Sequence, residues 1–186
     1  MAIAADGLAV TSSVPFGARL SVRLTLMALG RIAVASGLHG GMTRLGWPLS
    51  GGSMAELHGP LLVSGLFGTL IGLERAIALQ RPWAFGCPLA AGAGTLALLA
   101  GAPFAMGAGL YVVAAAVLVV ASLVVARAQP TLFHGAMLLG AVAWLAGNAL
   151  WLAGYAVPEI VGWWLAFPIL TVAGERLELS RVLVPR

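Results

Sequence analysis

Apolar residues run through this chain in blocks of about membrane length, and the polar positions between them are too few to give most segments a wet face. A helix needs about 20 residues to cross a hydrocarbon core of roughly 30 Å. Six blocks reach that length, over residues 24–45, 55–79, 83–102, 107–126, 131–153 and 159–180. The first is the most interrupted, by Arg31, His39 and the pair Gly40-Gly41. Trp47-Pro48, Arg81-Pro82, Ala102-Pro103, Gln129-Pro130 and Val157-Pro158 punctuate the short links. The residue before a proline avoids helical geometry, whereas the proline itself fits a first helical turn. The pattern predicts an all-α fold, a polytopic bundle of six transmembrane helices over residues 19–186 behind an N-terminal tail, residues 1–18.

Within the blocks, residue size separates the helices. In the second, His58, Gly65, Gly68, Thr69 and Gly72 fall on one stripe at the helical period. Small residues on a stripe let backbones approach closely, which drives helix association in lipid. The fourth has no polar side chain between Val112 and Val125 except Ser122, and a helix apolar all round is either lipid-facing or fully buried. The second helix is therefore expected at the centre of the bundle and the fourth at its edge. On the fifth, His134, Met137, Ala141 and Asn148 share a stripe, with Trp144 and Trp151 beside it. Asn148 on such a stripe suits an interhelical hydrogen bond. His58-Gly59 and His134-Gly135 each head a span, and Glu74-Arg75 and Glu175-Arg176 each close one. Their spacings differ, so no single duplication accounts for both pairs.

Composition supports the same class. Apolar residues make up 61% of the 186 and charged ones 9%, against roughly 45–50% and 25% in soluble domains. The basic excess is all arginine, and its placement fixes an orientation. Arg19 and Arg23 precede the first span, Arg75 and Arg81 flank the turn after the second, Arg127 follows the fourth, and Arg176, Arg181 and Arg186 follow the sixth. Opposite them lie Arg44, Glu56 and Glu159. Under the positive-inside rule both termini are cytoplasmic. Arginine without lysine, with abundant alanine and glycine, suggests a GC-rich bacterial genome and hence a bacterial inner membrane. The arginines stand singly between apolar blocks, which excludes a nucleic-acid surface of clustered basic and aromatic residues. The expected partners are the lipid bilayer and other membrane subunits, in a homo- or hetero-oligomer. Cys87 stands alone, so neither an intrachain disulfide nor a multi-thiolate metal site is available. The N-terminal residues lack the basic and apolar regions of a cleavable signal peptide.

The candidate chemistry lies in the few ionisable side chains inside the blocks. A charge at a helix centre in a bilayer costs roughly 2.5–3.5 kcal/mol on insertion scales, so such groups face the bundle interior, pair, or bind something. His39 and His58 end the first span and begin the second. Neighbouring antiparallel helices can bring these imidazoles together, and imidazole is a common ligand of haem iron, copper and zinc. Glu56 is placed to orient an imidazole or relay a proton. The alternative is that each histidine bonds a freed carbonyl or a water near the interface; the Pro60 ring is expected to disturb the turn before it. His134 falls at the opposite end of the bundle, too far from His58 to share one metal. Glu74, Arg75, Glu175, Arg176 and Glu178 collect near the cytoplasmic surface. Adjacent helical residues point about 100° apart, so cross-pairing of Glu74 with Arg176 and Arg75 with Glu175 satisfies all four. These residues read either as ion pairs that fix the bundle or as a gate that handles protons.

No nucleophile with its base, phosphate loop or dinucleotide fingerprint occurs in the chain, which argues against an enzyme. The segment Glu56-Leu57-His58-Gly59-Pro60-Leu61-Leu62-Val63-Ser64-Gly65-Leu66-Phe67-Gly68, with Phe133-His134-Gly135 further on, resembles NnrS-type membrane proteins. That resemblance implies a multi-spanning bacterial protein of haem–copper-oxidase-like architecture that binds haem or copper. His58 is the position that matches; Glu56 stands where the family's run would place a second histidine. Three functions follow as expectations. They are a haem- or metal-associated protein with His58, His39 and His134 as ligands, a transporter or channel component gated by the glutamate–arginine set, and a structural subunit. The last would dock through the glycine stripe and Trp163-Trp164.

Overall fold

The computed structural model describes residues 16–49 and 54–183. Six helices long and apolar enough to cross a membrane fill them: α1 (Phe16–Arg44), α2 (Met54–Leu79), α3 (Pro82–Leu99), α4 (Phe104–Ala128), α5 (Leu132–Leu152) and α6 (Val157–Leu183). The protein is a multi-pass, all-helical membrane protein. Successive helices run antiparallel and pack side by side. The links are short because each has a local stop or start. Gln80 closes α2 in a left-handed conformation at φ 53°, its N–H on the Ala76 carbonyl. Arg81 is extended before Pro82. Thr131 caps α5, its hydroxyl oxygen accepting the His134 N–H.

α2 occupies the middle. It buries half of its most apolar stretch, 50%, against 22% for α1 and 28% for α6. Its glycines explain why it can. Beside Gly65 lie Thr95 of α3, Ala33 of α1 and the Tyr111 hydroxyl of α4. The Trp144 ring of α5 closes over Gly68, and Cys87 and Pro88 of α3 press on Gly72. A methyl group at any of the three would overlap a neighbour, so glycine is what lets four helices touch one.

Two expectations are corrected. α4 is not the edge of the bundle: Tyr111, Ala114, Ala115, Leu118, Ala121 and Ser122 form a buried face, while Val113 and Val120 face outward. An apolar helix in lipid needs no polar face to show which side is inside, so residue size does it instead. The lipid-facing periphery belongs to α1 and α6. Pro60 also leaves the turn before it α-helical. The disturbance follows it, as a seven-residue π-helical stretch over Leu61–Phe67 inside α2, closed by the Gly68 N–H on the Val63 carbonyl. Such widened turns bulge a helix outward and recur at functional positions.

Candidate functional site

Polar side chains within the bundle fall at three levels. At the end where α1 leads into α2, the His58 ring nitrogen Nδ1 lies 2.8 Å from the Gly37 carbonyl of α1. The ring rests against Gly41, one turn further along. Both glycines lie on the face of α1 that meets α2, and neither has a side chain to block the imidazole. His39, between them in sequence, is half-buried, and Glu56 is exposed. His58 thus joins α1 to α2 through a backbone carbonyl.

The middle level is a buried hydrogen-bonded network across five helices. Ser64 of α2 donates to Asn148 Oδ1 of α5 at 2.8 Å. Ser64 in turn accepts the Trp144 indole N–H at 3.0 Å. Trp164 of α6 donates to the same Asn148 oxygen at 3.1 Å, and Asn148 Nδ2 reaches the Tyr111 carbonyl of α4 at 3.3 Å. The Tyr111 hydroxyl lies 3.0 Å from Thr95 Oγ1 of α3. Ser64, Thr95, Tyr111, Trp144, Asn148 and Trp164 are all fully buried. Asn148 therefore holds α2, α4 and α6 at once. Trp163, its neighbour Trp164's partner in sequence, is exposed, so the two tryptophans do not form one contact surface.

The third level is a cavity of about 350 Å³ where α2 and α6 end and α5 begins. Glu74 and Arg75 of α2, Gln129 after α4, His134 and Met137 of α5, and Glu175 and Glu178 of α6 border it. Ile71, Leu79, Val124 and Val125 supply its apolar wall. His134 is buried at 6% exposure and its Nδ1 lies 2.8 Å from the Gln129 carbonyl, which leaves Nε2 as the nitrogen available to the cavity. Arg75 directs Nη2 to Met137 Sδ at 2.9 Å, and its buried Nε has no hydrogen-bond partner among the described residues. A thioether is a weak acceptor, so this guanidinium is poorly satisfied. The charges of Glu74, Arg75, Glu178 and Arg176 all act on Glu175. Arg176 is exposed and does not border the cavity. The Arg181 side chain lies outside the described residues.

The candidate residues thus divide. Glu74, Arg75, His134, Glu175 and Glu178 come together around one cavity. His58, His39 and Glu56 sit at the other end of α2, and Gly65, Gly68, Gly72 and Asn148 pack the middle. Among the described residues, no three His, Cys, Asp or Glu side chains converge. His58, His39 and His134 do not form a joint ligand set. The sequence reading missed Ser64 and Tyr111 as partners of Asn148, Thr95 as the partner of the Tyr111 hydroxyl, and Gln129 as the partner of His134. A serine one turn before Gly68 on the glycine stripe was the available signal for the first.

No curated protein and no solved structure matches the chain. One protein family does, described as a domain of unknown function (DUF8744), and the match runs over residues 23–186. The match takes in all six spans but the first turns of α1, and the chain belongs to that family.

Proposed function

We propose that the protein is a transporter or channel component of a bacterial inner membrane, and that the vestibule of Glu74, Arg75, His134, Glu175 and Glu178 is its cation- or proton-handling site. One observation carries the reading: a cavity with three carboxylates on its walls, whose single guanidinium is satisfied by a thioether rather than by a carboxylate. Ionisable groups at membrane depth mark substrate and proton pathways when they do not simply neutralise each other. The surrounding arginines Arg75, Arg81, Arg127 and Arg176 favour a cytoplasmic mouth and cytoplasmic termini. The Asn148 network acts as the seal on the other side, because its side chains are fully buried and bonded to one another.

Purified protein in proteoliposomes carrying an internal pH or cation reporter tests this. Flux down an imposed gradient is expected, reduced at least tenfold by Glu175→Gln. Tight vesicles with the folded protein and no flux of protons or of inorganic or organic cations would refute the reading.

A second reading rests on His58. Imidazoles that bind metals commonly anchor their other ring nitrogen on a backbone carbonyl, and His58 Nδ1 lies on the Gly37 carbonyl. His58 is then the residue that would hold a haem or copper. A visible absorption spectrum of the purified protein, with a band lost in His58→Ala, would put this reading first.

A further inference from the structure

The walls of the vestibule say more about its occupant than its charge does. A bare calcium or magnesium ion is held by about six or more oxygen ligands at 2–2.6 Å, whereas this cavity holds about 350 Å³. Its lining is divided. Ile71, Leu79, Val124 and Val125, with Ala78 and Ala128, form an apolar wall from α2 and α4, and Glu74, Glu175 and Glu178 stand with His134 and Arg75 along α2, α5 and α6. Met137 adds a polarisable surface. Glu74 and Glu178 are exposed and Glu175 is half-buried, so a cation can reach the carboxylates from water while its apolar part lies along the wall of α2 and α4.

We infer that the vestibule binds a protonated amine carrying an apolar body. The ammonium would sit among Glu74, Glu175 and Glu178, and the hydrocarbon against Ile71, Val124 and Val125. Arg75 has a specific part in this arrangement. Its guanidinium already lies at the cavity, with Nε unbonded and Nη2 on Met137. It is the protein's own cation at the site, and its charge opposes the entry of a second one. The inference rests on the proposed transport reading and narrows its substrate class.

Thermal melts of the detergent-purified protein, followed by tryptophan fluorescence, test it with a series from ethylammonium to hexylammonium. Alcohols of the same lengths and sodium chloride serve as controls. The half-saturating amine concentration is expected to fall about two- to fourfold for each added methylene, as partial to full burial of a CH₂ implies. The alcohols should bind at least tenfold more weakly. Glu175→Gln should weaken amine binding at least tenfold, and Val124→Ser should flatten the chain-length dependence while leaving ethylammonium binding within twofold. Arg75→Gln should tighten amine binding severalfold. Nanodiscs with and without phosphatidylethanolamine separate a free amine from a lipid headgroup as its source: competition by the lipid alone indicates the headgroup. Binding of protons or sodium with no dependence on chain length would overturn this inference and leave the transport reading standing. Absence of binding by every cation would overturn both.

Discussion

The middle of the bundle and its vestibule both place polar side chains within membrane-spanning helices, yet they resolve the cost in opposite ways. Around Asn148, fully buried polar groups from five helices meet one another at hydrogen-bonding distance. Around Glu175, the charged groups of α2 and α6 border open space, and Arg75 settles for a sulfur atom. A closed network fixes the structure because each member is already satisfied. An open set keeps its bonding capacity for something else. Polar residues in a membrane helix are thus no sign of function until their partners are known.

The largest expected effect tests the closed half. Asn148→Ala removes one acceptor shared by Ser64 and Trp164 and one donor to the Tyr111 carbonyl. Interhelical hydrogen bonds in membranes average only about 0.6 kcal/mol each. The substitution also strands a buried hydroxyl and an indole N–H and opens a void, so the expected loss is about 2–4 kcal/mol. Asn148→Asp, which keeps the acceptor, should recover part of it only if the carboxyl is protonated. Melting or denaturant titration in detergent measures this, and a loss under about 1 kcal/mol would show that the network merely tolerates its polar members.

Much of the fold was legible because it depends on the chain alone. Block length gave the six spans, prolines gave their ends, and the stripe of Gly65, Gly68 and Gly72 gave the central helix. What was hidden depends on the register between helices. Asn148 could be read as a hydrogen-bonding residue, but nothing local says that Ser64 lies opposite it, 84 positions away in the chain. The Gly37 carbonyl that meets His58 is equally invisible, since every residue has a carbonyl and only the close approach of α1 selects one. The π-helical stretch after Pro60 depends on how α2 packs as well as on its own sequence. The side of α4 that faces inward was obscured because alanine faces in and valine out, a contrast of size and not of polarity.

Of intermediate size is the effect of filling the glycine stripe where the closed region needs it. Gly68→Ala places a methyl against the Trp144 ring, and that indole is held in place by its bond to Ser64. Overpacking typically costs about 1–3 kcal/mol. Gly135→Ala, where nothing lies within reach of an added methyl, should be neutral or slightly stabilising through helix propensity. Parallel melts of the two variants check this. Equal effects would mean that Trp144 can move aside, and that the middle of the bundle is softer than its hydrogen bonds imply.

The smallest expected effect is in the vestibule and asks whether it is held by ion pairs. From sequence, Glu74 paired with Arg176 is the economical solution, and a buried pair of that kind loses about 3–5 kcal/mol when one partner is removed. In the fold, Glu74 and Arg176 are both exposed, and only Glu74 borders the cavity. Exposed pairs contribute about 0.2–1 kcal/mol even when they touch. Glu74→Gln and Arg176→Gln should therefore each shift stability by less than about 1 kcal/mol. Their double-mutant coupling should fall within about 0.5 kcal/mol of zero, as for independent sites. A melt series of the parent, the two single variants and the double variant at low salt gives the coupling directly. A coupling above about 1.5 kcal/mol, beyond what exposed pairs supply, would mean that α6 closes onto α2 through these residues. The vestibule would then be a structural clamp like the Asn148 network, and the contrast between the two regions would disappear.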